Sequence, residues 1–416
     1  MLLPPTPLTL LCAILLCLPL AVIFTFTTPS STTSAASFDG AANSPLPITT
    51  SFTNLTKRNP EPTILLPPRK NPVKNSQIQN GTTIANITIP PPSPPPPPPP
   101  PPIELAEEED VPLFKLASRV DPSPKPKRKL AFMFLTTSPL PFAPLWELFF
   151  ARAPKKLYNI YIHADPTFNY TSKAFDGVFT GRVIPSKPTR RHTPTLISAA
   201  RRLLAHALLH DESNSMFALL SPSCIPIHSF NHTYRSLIKS RRSFIEILKD
   251  EPGAYDRWAA RGEEAMLPEV EYEDFRIGSQ FWVVKRKHAR IIVRDRRLWS
   301  KFKLPCLRDD TCYPEEHYFP TLLSRVDSRG CIPCTLTHVD WKESYGGHPR
   351  MYEASEVGPE LIWTLRKSRP RYGDEQSNGS SSSVRRRHDP FLFARKFSPG
   401  SLHQLISMAK DVIFKD

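Results

Sequence analysis

Two short apolar runs decide the fold of this chain: Leu130–Thr136 reads LAFMFLT, and Leu157–His163 reads LYNIYIH. Runs of this kind are typical of strands buried inside a parallel sheet. Trp146–Ala151, which reads WELFFA and lies between them, predicts a short helix. A strand, a helix and a second strand in succession predict two parallel strands joined by a crossover.

The same alternation continues along the chain from residue 129 to residue 416. Further strands are predicted at Arg182–Pro185, Met216–Leu220, Phe244–Leu248 and Phe281–Lys285, and further helices at Thr195–His210, Phe230–Lys239 and Lys287–Trp299. We therefore expect one α/β domain with a mostly parallel sheet that is covered on both faces. Ligands in such sheets bind beyond the carboxyl ends of the strands, where the turns at Asp165 and Ser221 lie.

Residues 1–128 have a different composition, which includes most of the 49 prolines of the chain. Leu8–Phe26 is uncharged and nearly long enough to cross a bilayer as a helix, so it predicts a membrane anchor behind a short cytosolic tail of residues 1–7. A cleaved signal peptide is the alternative. Residues 27–128 are rich in Pro, Ser and Thr, and Pro90–Pro102 is proline except for Ser93. This segment predicts an extended stalk.

Six Asn-x-Ser/Thr sequons agree with entry into the secretory pathway. They begin at Asn54, Asn80, Asn86, Asn169, Asn231 and Asn378. Three of them fall within the predicted stalk. We therefore expect the domain to be lumenal and N-glycosylated.

Five of the seven cysteines lie in the predicted domain. In an oxidising compartment the close pairs Cys306/Cys312 and Cys331/Cys334 predict disulfides that hold loops. An odd count leaves Cys224 or another thiol free. Because Cys331 and Cys334 also have the spacing of zinc ligands, a zinc site is the alternative, although no second CxxC supports it.

The formal net charge is +15, which invites nucleic acid, an anionic membrane surface or an anionic small molecule as a partner. The basic residues are spread over three stretches, one of them Lys285–Lys303, and none shows a zinc-finger, homeodomain or RNA-recognition pattern. We do not expect a nucleic-acid partner. The basic stretch Lys285–Lys303 predicts a solvated helix face, with acidic polysaccharide as the alternative partner.

The segment Cys312–Leu323 reads CYPEEHYFPTLL and carries the most informative group of polar residues. Glu315 and Glu316 follow a proline at the start of a predicted helix. A carboxylate there can act as a general base that takes a proton from a sugar hydroxyl. The alternative is structural, because acidic residues at a helix N-terminus offset the helix macrodipole.

Seven short motifs, in order, resemble the plant branch of the core 2/I-branching β-1,6-N-acetylglucosaminyltransferase family, glycosyltransferase family 14. They are YIHAD (161–165), FALLSPSCIP (217–226), SFIE (243–246), GSQFWVV (278–284), PEEHY (314–318), THVDW (337–341) and LFARKF (392–397). Together they span nearly all of residues 129–400. The resemblance implies a GT-A-like, Rossmann-type fold, a UDP-sugar donor and a transfer with inversion.

The resemblance also implies roles for individual residues. Glu316 falls on the catalytic base of the family, and Lys396 falls on the basic residue that neutralises the donor diphosphate. Asp165 falls on the acid that helps to hold the nucleotide. Glu246 and the stretch that begins with Gly278 and Ser279 fall near the acceptor pocket.

Two further expectations concern aromatic and cationic side chains. Trp341 is a candidate to stack on the apolar face of a sugar, and a place in the core is the equal alternative. No Asp-x-Asp motif is present in the sequence, so we expect no metal site and a diphosphate neutralised by basic side chains. The candidates are Lys396, Arg395 and one of Arg350 or Arg366.

The leading hypothesis is an inverting enzyme of the Golgi membrane, anchored once in type II orientation. It would move a sugar, N-acetylglucosamine by preference, from a UDP-sugar to a glycan or glycoprotein. Xylose and glucuronic acid are the donor sugars of other members of the family. The alternatives are a proline-rich cell-wall structural protein, suggested by the run after Ser93, and a domain that binds glycans without turnover.

Overall fold

The computed structural model describes residues 110–342, 344, 347–375 and 387–416. The predicted anchor, most of the predicted stalk and the sequons at Asn54, Asn80, Asn86 and Asn378 lie outside these ranges. Within them, no helix has both the length and the apolar character needed to cross a membrane.

The described elements alternate as the sequence predicts. The helices are α1 Val111–Ala117, α2 Ala143–Ala151, α3 Thr195–His210, α4 Phe230–Lys239, α5 Ala254–Trp258, α6 Arg286–Arg294, α7 Arg297–Phe302, α8 Pro314–Asp327, α9 Pro359–Lys367 and α10 Leu402–Ser407. The strands are β1 Lys129–Thr136, β2 Tyr158–Ala164, β3 Asn214–Leu220, β4 Ile225–Pro226, β5 Ser243–Phe244, β6 Val283–Lys285, β7 Cys331–Ile332, β8 Thr337–Val339 and β9 Phe393–Arg395.

The main sheet has six strands in the order β2-β1-β3-β6-β5-β7. All pairs are parallel except those that involve β6, which runs against β3 and β5. A second sheet of three strands has the order β4-β9-β8, with β8 and β9 parallel. This mixed α/β topology with a mainly parallel sheet fits the GT-A-like domain that the resemblance implies.

The core lies on both faces of the main sheet, because alternate residues of a strand point to opposite sides. In β1, Phe132 and Phe134 belong to the cluster that contains α2, α4 and the second sheet. Ala131 and Met133 belong to the cluster that contains α3, α6 and α8. Burial on both sides explains why the first apolar run shows no polar alternation.

Three predicted elements are corrected by the structure. Arg182–Pro185 is not a strand and forms only one parallel bridge, between Ile162 and Val183. The strand predicted at Phe244–Leu248 shortens to β5. The helix predicted at Lys287–Trp299 divides into α6 and α7, because the carboxylate of Asp295 accepts hydrogen bonds from the amides of Leu298 and Trp299 and so starts a new helix.

Residues 110–128, which the sequence assigns to the stalk, form part of the folded unit. Helix α1 lies within them. Asp110 is buried and forms ion pairs with Arg202 and with Lys187, the latter at 3.3 Å. The folded unit therefore includes Asp110 as well as the residues from Lys129 onward.

The two cysteine pairs behave differently. Cys306 and Cys312 form a disulfide that closes the segment immediately before α8. Cys331 and Cys334 are both buried free thiols, as is Cys224. The prediction of a second disulfide is wrong because Cys331 packs into the cluster on one face of the sheet and Cys334 into the cluster on the other.

Candidate active site

The first turn of α8 separates the two adjacent carboxyl groups. Pro314 starts the helix, where its missing amide donor costs nothing, and Glu315 and Glu316 follow it. Successive side chains of a helix point about 100° apart, so the neighbours enter different surroundings. Glu315 is buried, whereas the side chain of Glu316 remains 28% exposed.

Glu315 has the properties of a neutral, structural carboxyl group. Burial raises its pKa to about 8, with a contribution from Glu316, while Arg191 and Arg261 act in the opposite direction. Its Oε2 atom has no hydrogen-bond partner among the residues that the structure describes. At neutral pH this group holds its proton and is a poor candidate for a base.

Glu316 is the carboxyl group that lies beside arginines. The Nη1 atom of Arg257 donates to Oε2 of Glu316 at 3.3 Å. Burial raises the pKa of Glu316, and Arg257, Arg395 and Arg191 act against that rise. In its ionised form, a carboxylate with a raised pKa accepts a proton more readily than an ordinary glutamate.

A cationic group lies beside this carboxylate and consists of Arg191, Arg395 and Lys396. Burial lowers the pKa of Lys396, and the charges of Arg395 and Arg191 lower it further. Arg191 donates to His348 and, at 3.1 Å, to the carbonyl oxygen of Gly347. Among the described residues, neither Arg395 nor Lys396 has a carboxylate within 4 Å. Uncompensated cations in one place favour an anionic ligand.

Tyr313 connects the cationic group with the carboxylate. The guanidinium groups of Arg191 and Arg257 lie 5.9 and 5.2 Å from the centre of the Tyr313 ring. Because such contacts are attractive, the residue before α8 helps to hold both arginines near its N-terminus.

Gly278 brings a third carboxyl group, that of Glu246, to the same place. The amide of Gly278 donates to the main-chain oxygen of Glu316 at 2.9 Å. A Cβ atom at Gly278 would stand 2.0 Å from the main-chain oxygen of Glu246, so only glycine permits this approach. Burial raises the pKa of Glu246 to about 7; Arg371 acts against the rise, and Glu316 adds to it. Ser279 supplies a backbone hydrogen bond to the Glu246 carboxyl group.

Similarity to known proteins identifies the family of the chain. The family model described as "Branch: Core-2/I-Branching enzyme" matches residues 130–366, more than half of the chain. The chain belongs to the Core-2/I-branching enzyme family. It is also 29% identical over 319 residues to "Glycosyltransferase BC10" of Oryza sativa subsp. japonica, covering 69% of this chain and 78% of that protein. The chain is therefore a glycosyltransferase.

The family match includes Glu246, Gly278 and Glu316 but ends before Arg395 and Lys396. The structure nevertheless joins the two parts of this Core-2/I-branching enzyme. Val339 of β8 pairs with Arg395 of β9, within the second sheet. Trp341 follows two residues after Val339 and is 56% exposed, so it lies outside the core at the end of the strand next to Arg395.

The carboxylate of Asp165 forms hydrogen bonds within the fold and is not a free acid at a nucleotide site. Each of its carboxylate oxygens accepts two hydrogen bonds, Oδ1 from the amide and hydroxyl of Thr167 and Oδ2 from those of Thr189. These bonds occupy the acceptor capacity of the group. Because Thr189 is two residues before Arg191, Asp165 orders the loop that carries this arginine.

Arg350 and Arg366, the two candidates to neutralise the diphosphate together with Lys396, are engaged elsewhere. Arg350 pairs with Glu356 and with Asp340. Arg366 donates to the main-chain oxygens of Ile227 and Ile413, both at 2.6 Å. Both arginines therefore hold parts of the fold together.

Arg191 and Arg257 are the site residues that the sequence motifs do not reveal. Arg191 belongs to the basic pair Arg190-Arg191 just before α3, which is a weak signal. Arg257 lies on α5, outside all seven motifs, and only the packing of α5 brings it to Glu316.

Potential metal ligands do not collect at this site. Within the described ranges, the grouping of three such side chains that lies closely enough together consists of His228, His232 and Asp416. None of them belongs to the carboxylate or cationic groups around Glu316.

Proposed function

We propose that this enzyme transfers a sugar, with inversion, from a UDP-sugar to a hydroxyl group of a glycan or glycoprotein. N-acetylglucosamine is the proposed sugar, because the enzymes after which the family is named transfer it. Glu316 is the proposed base, and Lys396, Arg395 and Arg191 are the proposed partners of the diphosphate.

One observation carries the proposal: the carboxyl group of Glu316, with a side chain 28% exposed, lies together with cations that have no carboxylate partner among the described residues. Glu316 feels the charges of Arg257, Arg395 and Arg191. Lys396 feels those of Arg395 and Arg191. A transfer from a nucleotide-sugar needs a base and a group of cations. The base takes the proton of the acceptor hydroxyl, and the cations stabilise the negative charge that develops on the diphosphate.

The reaction follows from this arrangement. The acceptor hydroxyl oxygen attacks the anomeric carbon from the face opposite the diphosphate, and its proton passes to Glu316. The bond between the anomeric carbon and the diphosphate oxygen breaks, and UDP leaves with the bonding electrons. Lys396, Arg395 and Arg191 stabilise the charge that develops on the diphosphate.

Turnover by the full-length chain tests the proposal. We would incubate it with UDP-N-acetylglucosamine, UDP-xylose and UDP-glucuronic acid and a panel of glycan acceptors. UDP release and the anomeric configuration of the product are the readouts. Inverted product that disappears in Glu316→Gln supports the proposal. Glycan binding without turnover of any donor would instead favour the non-catalytic alternative, and retention of configuration would exclude the proposed mechanism.

We also propose that the enzyme is a single-pass type II protein of the Golgi membrane with a lumenal catalytic domain. Support comes from the apolar segment Leu8–Phe26 and the six sequons. Asn169 and Asn231, the sequons within the described ranges, are both exposed and therefore accessible to modification. Glycosidase treatment should shift the gel mobility of the protein, and carbonate should leave it in the membrane. A cytosolic protein with unshifted mobility would contradict the proposal.

A further inference from the structure

A concave site separate from the group around Glu316 lies between α1, the first turns of α3 and the junction of α6 and α7. Its volume is about 670 Å³, which is within the range of small-molecule sites. It includes the end of the basic stretch Lys285–Lys303, to which the proposed reaction assigns no role.

Five cations line this site: Lys115, Arg201, Arg294, Arg296 and Lys303. All but Arg201 are exposed. Among the described residues, none of the five has a carboxylate within ion-pair distance. A pocket lined by one sign of charge attracts ligands of the opposite sign.

The nearby carboxylates do not neutralise this charge. Asp110 lines the site but already pairs with Arg202 and Lys187. Asp295 lies between Arg294 and Arg296 in sequence. Its carboxylate accepts hydrogen bonds from the start of α7 and, at 3.0 Å, from the Tyr318 hydroxyl.

The inner wall of the site is rigid and partly aromatic. The guanidinium group of Arg201 lies between the rings of Phe114 and Trp299, at 4.7 and 4.8 Å from their centres. Its Nη2 atom donates to the main-chain oxygen of Asp295 at 2.7 Å. Arg201 is buried, and its Nε and Nη1 atoms have no hydrogen-bond partner in the described part of the chain. The wall therefore carries a fixed positive charge, and two of its donor atoms have no acceptor among the described residues.

The site lies towards the carboxyl edge of the strands, as do the residues of the proposed reaction. Helix α3 ends at His210, four residues before β3 begins, so its other end lies at the carboxyl edge of the strands. Arg191 is four residues before α3, and Arg201 is about 9 Å along the helix axis from its first residue. The ion pair between Asp110 and Lys187 joins the site to the loop that carries Arg191.

We propose that this site binds an acidic saccharide chain, with carboxylates of the chain against its exposed cations. A concave site that presents serine oxygens fits sugar rings with hydroxyl groups better than it fits a flat membrane surface. The Ser118 and Ser300 hydroxyls donate to nearby main-chain oxygens and keep their own oxygens as acceptors. If the proposed transfer is correct, the acceptor belongs to the class of uronic-acid-containing glycans; this last step alone rests on that function.

Binding of oligogalacturonate to full-length Glu316→Gln protein tests the proposal without any need for turnover. The pocket variant carries Arg294→Ala, Arg296→Ala and Lys303→Ala. The matched control removes three exposed cations elsewhere, by Arg152→Ala, Lys155→Ala and Lys156→Ala. We expect the pocket variant to bind about tenfold or more weakly and the control to bind almost normally, since each lost charged contact weakens binding severalfold.

Two further arms distinguish the possible sources of negative charge. A neutral galactan oligomer of equal length should bind much more weakly than oligogalacturonate. Vesicles that contain phosphatidylserine should bind the pocket variant and the control equally. The proposal is wrong if the two triple variants lose oligogalacturonate affinity equally, if the neutral oligomer binds as well, or if only vesicle binding depends on the pocket. Because Glu316→Gln is the background throughout, failure here leaves the proposed transfer untouched.

Discussion

The amide of Gly278 donates to the main-chain oxygen of Glu316 at 2.9 Å and thereby fixes the first turn of α8 against the segment that carries Glu246. The same glycine has no space for a side chain, because a Cβ atom would stand 2.0 Å from the main-chain oxygen of Glu246. The distance between Glu246 and Glu316 thus depends on the absence of a Cβ atom at Gly278.

Gly278→Ala should disturb this contact. We expect a loss of about 1–3 kcal/mol in the free energy of unfolding, as is usual for an added methyl group in a packed region. We also expect turnover to fall by more than the loss of folded protein explains. Chemical denaturation and kcat measured on the same preparation check both effects.

Gly358→Ala is the matched control for this substitution. A Cβ atom at Gly358 meets no heavy atom within 4 Å, and its backbone is extended with φ −153°. Its stability and turnover should remain close to those of the original protein. Equal effects of the two alanines would show that the contact between Gly278 and Glu246 is unimportant.

Glu316→Gln keeps the shape of the side chain and removes the proton acceptor. Turnover should fall by about 10²–10⁴-fold, the usual contribution of general base catalysis, whereas UDP affinity should remain nearly unchanged. Glu315→Gln should have a much smaller effect, because burial already keeps that carboxyl group protonated at neutral pH, with a pKa of about 8. Steady-state kinetics and UDP titration measure the two effects. A larger loss of turnover in Glu315→Gln would move the assignment of the base by one residue.

Arg257→Met should shift the pH dependence of turnover. Arg257 lowers the pKa of Glu316 and so opposes the effect of burial. Without that charge the pKa rises, more of the base is protonated at a given acidic pH, and the acid limb of kcat/KM moves to higher pH. Arg257→Lys retains a positive charge, so its limb should lie nearer to that of the original enzyme. An acid limb that stays in place in Arg257→Met would mean that the limb reports another group.

Lys396→Ala and Arg191→Ala should each weaken UDP binding by about tenfold, because each removes a charge-assisted contact with the diphosphate. Lys410→Ala, which removes an exposed cation outside the site, is the control and should leave UDP affinity unchanged. Activity should also survive EDTA if basic side chains alone neutralise the diphosphate. Calorimetry and activity assays provide the measurements. Loss of activity in EDTA that manganese restores would contradict this account.

Local patterns predicted the strands β1, β2 and β3 closely, because these apolar runs are buried on both faces. The same reasoning failed at Arg182–Pro185, where a short extended segment forms a single bridge and Val183 remains exposed. It also failed at Lys287–Trp299, because Asp295 ends one helix and its carboxylate accepts hydrogen bonds from the first turn of the next. Both failures concern short segments whose outcome depends on a single side chain or neighbour.

By itself, the sequence determined the class of the domain and the position of Glu315 and Glu316 at a helix start, since periodicity and local motifs express these features. Only the tertiary structure decided which of the two carboxyl groups is exposed and which basic residues accompany it. Arg191, Arg257 and Arg395 are distant in sequence and meet through the packing of separate elements. Charges act through space over several ångströms, whereas sequence patterns report only neighbours along the chain.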